Sequence, residues 1–429
     1  MKSFAIRSVA ISTIVGLVAV GTAGAANAAD PGLTSTEIKI GTTTPLTGPA
    51  SPGYKDVSAG ANAYFAYVNK SGGINGRNVT LVVKDDQYNP TTTITKTNEL
   101  ILNDKVFAIY GALGTANHLA VVDEINKQGI PDVFVNTGSN AFDNVQKYPN
   151  TFPYFPSYAV EAKVMAKYIQ DTPDLASKKR CFFYQEGEFG ENAGQGFASA
   201  GFTTWTAQAS YLPTQIAQGF GAQVTRMKAA GCELVVFFGV TSATGVLLRT
   251  AAALQFRPTW MVTSVGSEPT VLAGIVGSVP ATRAAMTGMY TPQFLVPITD
   301  TGNPYVSQMK TIVEAAGLPF NFYTYYGANT AYVLSQALKA AGPNLTRKGL
   351  VKALQANAKN FRSAAVVPFI ITKSSHQGLT GFYMGQYDSA GTVVRLGKPN
   401  QVYVAGNAGG SLAKVATFRP PAPTKKLLP

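Results

Sequence analysis

From Glu37 onward, short β-rich runs alternate with apolar residues at helical spacing, and after residue 158 the alternation starts afresh. The first block reads as a strand at 37–44 and a helix through Val57, Ala61, Tyr64, Phe65 and Val68. Strands at 79–84, 106–110 and 132–136 follow, with helices over 93–102 and 116–128 between them. The second block has a helix over 159–169 and strands at 181–185, 204–209, 233–238 and 259–263, separated by helices over 191–199, 220–230 and 244–254. Repeated βα units imply a parallel sheet with helices on both faces and right-handed crossovers. The expected fold class is therefore α/β, with two doubly wound parallel-sheet lobes.

The segments TFPYFP (151–156) and GMYTPQF (288–294) are punctuated by Pro and aromatics and read as crossings between lobes. Helices over 322–340 and 347–356 return to the first lobe. A third crossing is placed near 368–372, and GFYMGQYDSAGTVV reads as a hairpin-like end. Lobe 1 is accordingly assigned to 29–153 plus 291–370, and lobe 2 to 154–290 plus 371–415. The Pro- and Lys-rich end, 416–429, is assigned as a disordered tail. Two lobes joined by three crossover segments make a hinge.

The amino terminus has the pattern of an export signal. Lys2 and Arg7 precede a mostly apolar run of 12 residues, Val9 to Val20, which is short for a membrane span. Ala26-Asn27-Ala28 sets cleavage after Ala28, so residues 1–28 are read as a signal peptide and the protein as periplasmic or secreted; the alternative is an uncleaved anchor. The chain carries a formal charge of +13. Its Lys and Arg are mostly scattered singly, which argues for a general surface property and against nucleic acid.

Cys181 opens CFFYQE and Cys232 opens CELVVFF. As starts of neighbouring parallel strands in an exported protein they are expected to form a disulfide, the alternative being two buried free thiols. With only His118 and His376, neither near a Cys in sequence, no metal site is expected, and no cofactor. Catalysis has little basis: no G-x-S-x-G elbow occurs, Asp123 follows His118 at a spacing that does not share a helix face, and Gly194-Gln195-Gly196 lacks the third glycine of a dinucleotide fingerprint. The protein is expected not to be an enzyme.

In open α/β sheets ligands lie beyond the carboxyl ends of strands, against helix amino termini. Gly111-Ala112-Leu113-Gly114-Thr115 lies there, with Thr115 able to cap the next helix and offer its hydroxyl. Thr137-Gly138-Ser139 follows the next strand into the same cleft. The alternatives are that Thr115 is only an N-cap and 137–139 only a turn.

The stretch NKSGGINGRNVTLVVKDDQYNP (69–90) joins a helix end, a double-glycine turn, a strand and a paired-acid exit. Together with IKIGTTTPLTGPASPGYKD (38–56) and YGALGTANHLAVVDEINKQGIPDVFVNTGS (110–139), it resembles the substrate-binding proteins of branched-chain amino-acid type ABC transporters. The resemblance covers nearly all of the chain after the signal. It implies a binding protein of the type I periplasmic fold, acting as a monomer with a small-molecule ligand and a membrane permease. It implies that Leu113, Gly114 and Thr115, with Thr137, Gly138 and Ser139, hold an α-carboxylate and part of an α-ammonium, and that Tyr54 lies over the ligand. Phe189, in GEFGEN, matches an aromatic that is usually tyrosine, and Val240-Thr241 stands where the family often has an aromatic. The family's acid after the strand WMVTS is missing, Glu268 being the nearest. Either Glu268 reaches the ammonium or the ligand lacks one, since an unpaired buried ammonium is costly. Tyr54, Tyr154, Phe155, Tyr158, Phe189 and Tyr290 give the lobe edges an aromatic character suited to an aliphatic, aromatic or other apolar carboxylate, ordinary hinge packing being the alternative. The expected role is capture of a small carboxylate, such as a branched-chain or other apolar amino acid, for an ABC importer. The alternatives are a binder of aromatic acids or amides on the same scaffold, or a ligand sensor acting on a regulatory partner.

Overall fold

A computed structural model of the chain describes Met1, residues 30–277 and residues 284–429. The expected signal peptide and its cleavage point lie outside the described residues.

Lobe 1 is built on a five-stranded parallel sheet in the order β2-β1-β3-β4-β5, from β1 (Glu37–Thr44), β2 (Asn78–Asp85), β3 (Ala108–Tyr110), β4 (Asp132–Val135) and β5 (Thr151–Pro153). Its helices are α1 (Ser51–Lys70), α2 (Pro90–Asn98), α3 (Thr115–Leu119) and α4 (Val122–Lys127). After β5 the chain enters lobe 2, with α5 (Tyr158–Asp171), α6 (Pro173–Ala176), β6 (Arg180–Gln185), α7 (Glu188–Ser199), β7 (Ala207–Tyr211), α8 (Gly221–Ala229), β8 (Leu234–Phe238), α9 (Thr241–Ala253), β9 (Thr259–Val262), α10 (Pro269–Val276) and β10 (Tyr290–Gln293). It then returns to lobe 1 for α11 (Pro304–Ala315), α12 (Phe322–Ala340) and α13 (Arg347–Asn357), and crosses a third time to β11 (Gly381–Tyr387). Strands β12 (Val393–Arg395), β13 (Gln401–Val404) and β14 (Lys414–Thr417) complete the second sheet.

The second sheet runs β14-β13-β11-β10-β9-β8-β6-β7 with β12 paired to β11. From β7 to β10 it is parallel; β11 to β14 add an antiparallel extension that βα periodicity could not indicate. β10 pairs with β9 and β11, so 291–293 belong to the second sheet and the crossing falls after Gln293. The loop before β14 is fastened by the buried Lys163 of α5, whose ammonium donates to the carbonyls of Gly406, Asn407 and Gly410 at 3.0, 2.9 and 3.1 Å.

In lobe 1, α1 and α12 cross at glycines. A Cβ on Gly327 would stand 2.0 Å from the Val57 carbonyl oxygen, and one on Gly60 2.2 Å from that of Thr324. Only glycine permits this approach. In lobe 2, the Cys181–Cys232 disulfide is formed, with Cα atoms 5.8 Å apart, where β6 and the approach to β8 run side by side.

Four expectations are corrected. The helix expected over 116–128 is two, broken at Val121 (φ −128°); Val121 packs with Leu100 and Ile125, while Val122 packs with Val135 and Phe142, on another side. The strand expected over 204–209 lies at Ala207–Tyr211, because Trp205 instead stacks on Phe182 and the strand's buried end is Tyr211. Phe189 and Thr241 are not in loops but in the first turns of α7 and α9. The end of the chain is not a disordered tail, and no tail begins at Ala416. Ala416 and Thr417 are in β14, and 420–429 lie across lobe 1. Tyr64, Tyr67 and Tyr305 donate their hydroxyls to the carbonyls of Leu427, Lys426 and Pro421 at 2.6, 2.6 and 2.8 Å, and Leu427 is 0 % exposed. Proline-rich composition signals the lack of local structure, not the lack of a tertiary partner.

Candidate functional site

The carboxyl ends of both sheets face one cleft. From lobe 1, Pro52 and Gly53 break the first turn of α1, with Gly53 at φ 87° and a Cβ there 2.1 Å from the Tyr323 ring. The kink aims Tyr54 across the cleft, where its hydroxyl donates to the Val265 carbonyl at 2.8 Å. Gly114, at φ 105°, caps α3; a Cβ there would stand 2.6 Å from Asn117 Oδ1. Thr115 is therefore not the N-cap. Its hydroxyl shares a 2.6 Å hydrogen bond with that of Thr137, which also meets the Tyr158 hydroxyl at 3.0 Å.

A small cavity lies among these groups, walled by Tyr54, Tyr88, Leu113, Gly114, Thr115 and Asn136 from lobe 1, and by Phe189, Val240 and Val265 from lobe 2, with Phe155 and Tyr158 at the first crossing. Its free volume is about 20 Å³, room for about one water, so the cleft is closed on itself. None of these walls carries a formal charge. The Phe189 and Tyr158 rings lie 4.5 Å apart, and Tyr54 packs on Tyr323 at 4.7 Å.

The remaining residues singled out in the sequence support the closure. Gly138 packs its backbone against Tyr158 and Pro156. Ser139 donates to Glu188 of lobe 2, and the Asn140 amide donates to Asn192 at 2.7 Å. The Thr241 hydroxyl bonds to Tyr323 of lobe 1 and to the Val265 carbonyl at 3.2 Å. Ser242 donates to the Pro49 carbonyl at 2.6 Å. Glu268 is not a cavity wall: its carboxylate caps α10 through the Val271 amide at 2.6 Å and accepts from the Phe322 amide at 3.5 Å. Burial pushes its pKa up. Tyr154 is bound to Ser363 and Asn329, and Tyr290 packs on Tyr168, so both belong to the packing around the cleft.

Sequence reasoning passed over three contributors. Tyr88 sits at φ 59° after Gln87 at φ 57°, with its amide held by Asp86 at 3.0 Å, and its hydroxyl accepts from Gln185 of lobe 2 at 3.1 Å. The turn-rich DDQYNP was the available signal. Asn136, the residue after β4, lines the cavity with its Nδ2 buried and without a hydrogen-bond partner. Glu161, on α5, is fully buried and accepts from the Ser264 amide at 2.6 Å and the Thr263 hydroxyl at 2.9 Å, holding the turn that carries Val265. Burial raises its pKa to about 7, outweighing those bonds.

This arrangement, in which two α/β lobes close over a cavity at the strand ends, can be set beside known proteins. The family model of the periplasmic binding proteins matches residues 37–392. The chain belongs to the periplasmic binding protein family. The members are substrate-binding proteins rather than enzymes. This binding protein is 25 % identical over 322 residues to a Leu/Ile/Val-binding protein homolog from Brucella melitensis, covering 74 % of this chain and 83 % of that one. Among solved structures, it is similar to a branched-chain amino acid ABC transporter protein from Thermus thermophilus with bound valine. The TM-score is 0.73 at 18 % identity, over 86 % of this chain and 97 % of that one. It is similar also to a fatty acid ABC transporter substrate-binding protein from Thermomonospora curvata, with a TM-score of 0.74 at 21 % identity, over 91 % and 98 % of the chains. At these identities the structural neighbours establish the type I fold.

Proposed function

We propose that this binding protein is the extracytoplasmic solute-binding component of an ABC importer, and that it captures a small, largely apolar carboxylate or amide without an α-ammonium group. The observation that carries the reading is the cavity wall: aromatic and aliphatic, uncharged, with one buried amide donor, Asn136 Nδ2, left for an acceptor. An α-ammonium would be buried there without a carboxylate partner, which costs several kcal/mol. A carboxylate or carbonyl oxygen would instead receive Asn136 Nδ2 and the Thr115 hydroxyl.

Entry of the solute requires the lobes to part, since the closed cleft holds only about 20 Å³. Reclosure over the solute brings the lobes together around a cavity wider than the empty one and adds the solute's contacts with both lobes. Only that surplus biases the equilibrium towards the closed form a permease would read. The second reading, a branched-chain amino acid, is favoured by the Leu/Ile/Val-binding relatives. Neighbours of the same fold are named for valine and for fatty acid, so the fold does not choose between solutes and the walls must.

A thermal-shift panel tests this on protein refolded to remove carried-over solute, with leucine, isoleucine, valine and phenylalanine, their deaminated acids, benzoates and short amides. Stabilisation by the ammonium-free compounds is expected. Stabilisation confined to the α-amino acids would overturn the reading in favour of the second.

A further inference from the structure

A larger cavity, with a free volume of about 290 Å³, lies outside the cleft at the hinge. Its walls come from both lobes and from the crossing between them. Pro269 and Ala273 belong to α10 of lobe 2; Leu295 and Pro297 belong to the crossing that follows β10; Phe322 opens α12 of lobe 1. Tyr383 of β11 and the turn before β12 close the far side. The volume is that of a small-molecule site, and the lining is mostly apolar and uncharged. Thr270, Thr299 and Thr392 also line it, and Gln293 at its edge is a polar group of fixed orientation. Gln293 donates its amide nitrogen to Ser267 at 3.1 Å and Thr291 at 3.3 Å, which sets the amide's orientation and leaves its carbonyl oxygen as an acceptor.

We propose that this cavity is a second ligand site, taking a neutral aromatic alcohol of the phenol class, and that its occupancy favours the closed arrangement of the lobes. An uncharged ring fills the apolar walls, its hydroxyl donates to Gln293, and no buried charge is required on either side. The coupling follows from the wall. Phe322 moves with lobe 1 and α10 with lobe 2, and Glu268 joins the two by accepting the amides of Val271 and Phe322. Both walls face an occupant only when the lobes are together, so the occupant has more contacts in the closed state and shifts the population towards it. The inference does not depend on which solute the cleft takes.

The test is titration of the purified protein with 4-ethylphenol and with ethylbenzene, followed by calorimetry and by small-angle scattering. Saturable binding of 4-ethylphenol is expected, with a fall in the radius of gyration. Ala273→Phe, which places a ring in the cavity, should weaken it by at least about tenfold, while the cleft variant Phe189→Ala should retain it. Gln293→Leu, which serves also if Ala273→Phe does not fold, should reduce the preference for 4-ethylphenol over ethylbenzene by about fivefold. Absence of saturable binding, binding that is lost in Phe189→Ala and kept in Ala273→Phe, an unchanged preference in Gln293→Leu, or saturation without a change in scattering would each overturn the proposal.

Discussion

The Tyr54 hydroxyl, carried by the first helix of lobe 1, donates at 2.8 Å to the backbone carbonyl of Val265 in lobe 2. One phenol thus spans the cleft and walls the cavity at the same time. Tyr54→Phe keeps the wall and removes the bridge, at about 1 kcal/mol. The solute-free protein should shift towards the open form, seen as a larger radius of gyration, and solute affinity should fall by about fivefold. An unchanged radius with unchanged affinity would mean that this bond does not set the closure equilibrium.

Apart from the tyrosine hydroxyls, which are engaged in bonds of their own, Asn136 and Thr115 are the polar side chains of the wall. Thr115→Ala and Asn136→Ala should each weaken binding of the solute by roughly tenfold, the loss of one hydrogen bond to a charged group. Calorimetry with the best compound of the thermal-shift panel measures this. Full affinity in both variants would place the solute's polar end elsewhere.

Glu161 gives the protein a pH dependence of defined sign. Its carboxyl is pushed from the ordinary 4.5 to about 7 by burial, so between those values the folded state binds the proton more tightly than the unfolded chain. Its contribution to stability is complete below about pH 4.5 and is lost as pH rises through about 7. Asp86, raised to about 6 by burial, acts in the same direction. The measurement is therefore a difference: urea unfolding across this window should show a shallower decline in Glu161→Gln than in the unaltered protein. Parallel curves would assign the slope to other groups.

The Cys181–Cys232 bridge closes a loop with a sequence separation of 51 residues. In the chain-entropy model such a loop contributes about 4 kcal/mol. Replacing both residues with Ala should lower the urea midpoint accordingly, and a reducing agent should do the same to the unaltered protein while leaving the double variant unmoved.

The chain end at 420–429 acts as a strap on lobe 1. Removing it uncovers the hydroxyls of Tyr64 and Tyr305 and the seat of Leu427. A loss of about 2–4 kcal/mol is expected, from one buried leucine and several hydrogen bonds. A melting temperature equal to that of the full chain would mean that the strap only rests on the surface.

Periodicity along the sequence was sufficient for the βα order and the restart that makes two lobes; with the export context it made a Cys181–Cys232 disulfide the expectation, and the structure forms it. These depend on apolar spacing and on parallel neighbours, both of which are local or follow from chain order. β1 and α12 were legible to the residue for that reason. Tertiary packing decided the rest. Val121 breaks a helix because its neighbours in space differ from those of Val122. The strap is ordered because tyrosines far away in sequence receive its carbonyls. Thr241 and Ser139 became latches between lobes, and Glu268 a helix cap, because the positions of their side chains depend on how the two lobes meet. The uncharged wall with its single free amide is likewise a product of closure. It is assembled from residues as distant as Tyr54 and Val265, which no local pattern relates.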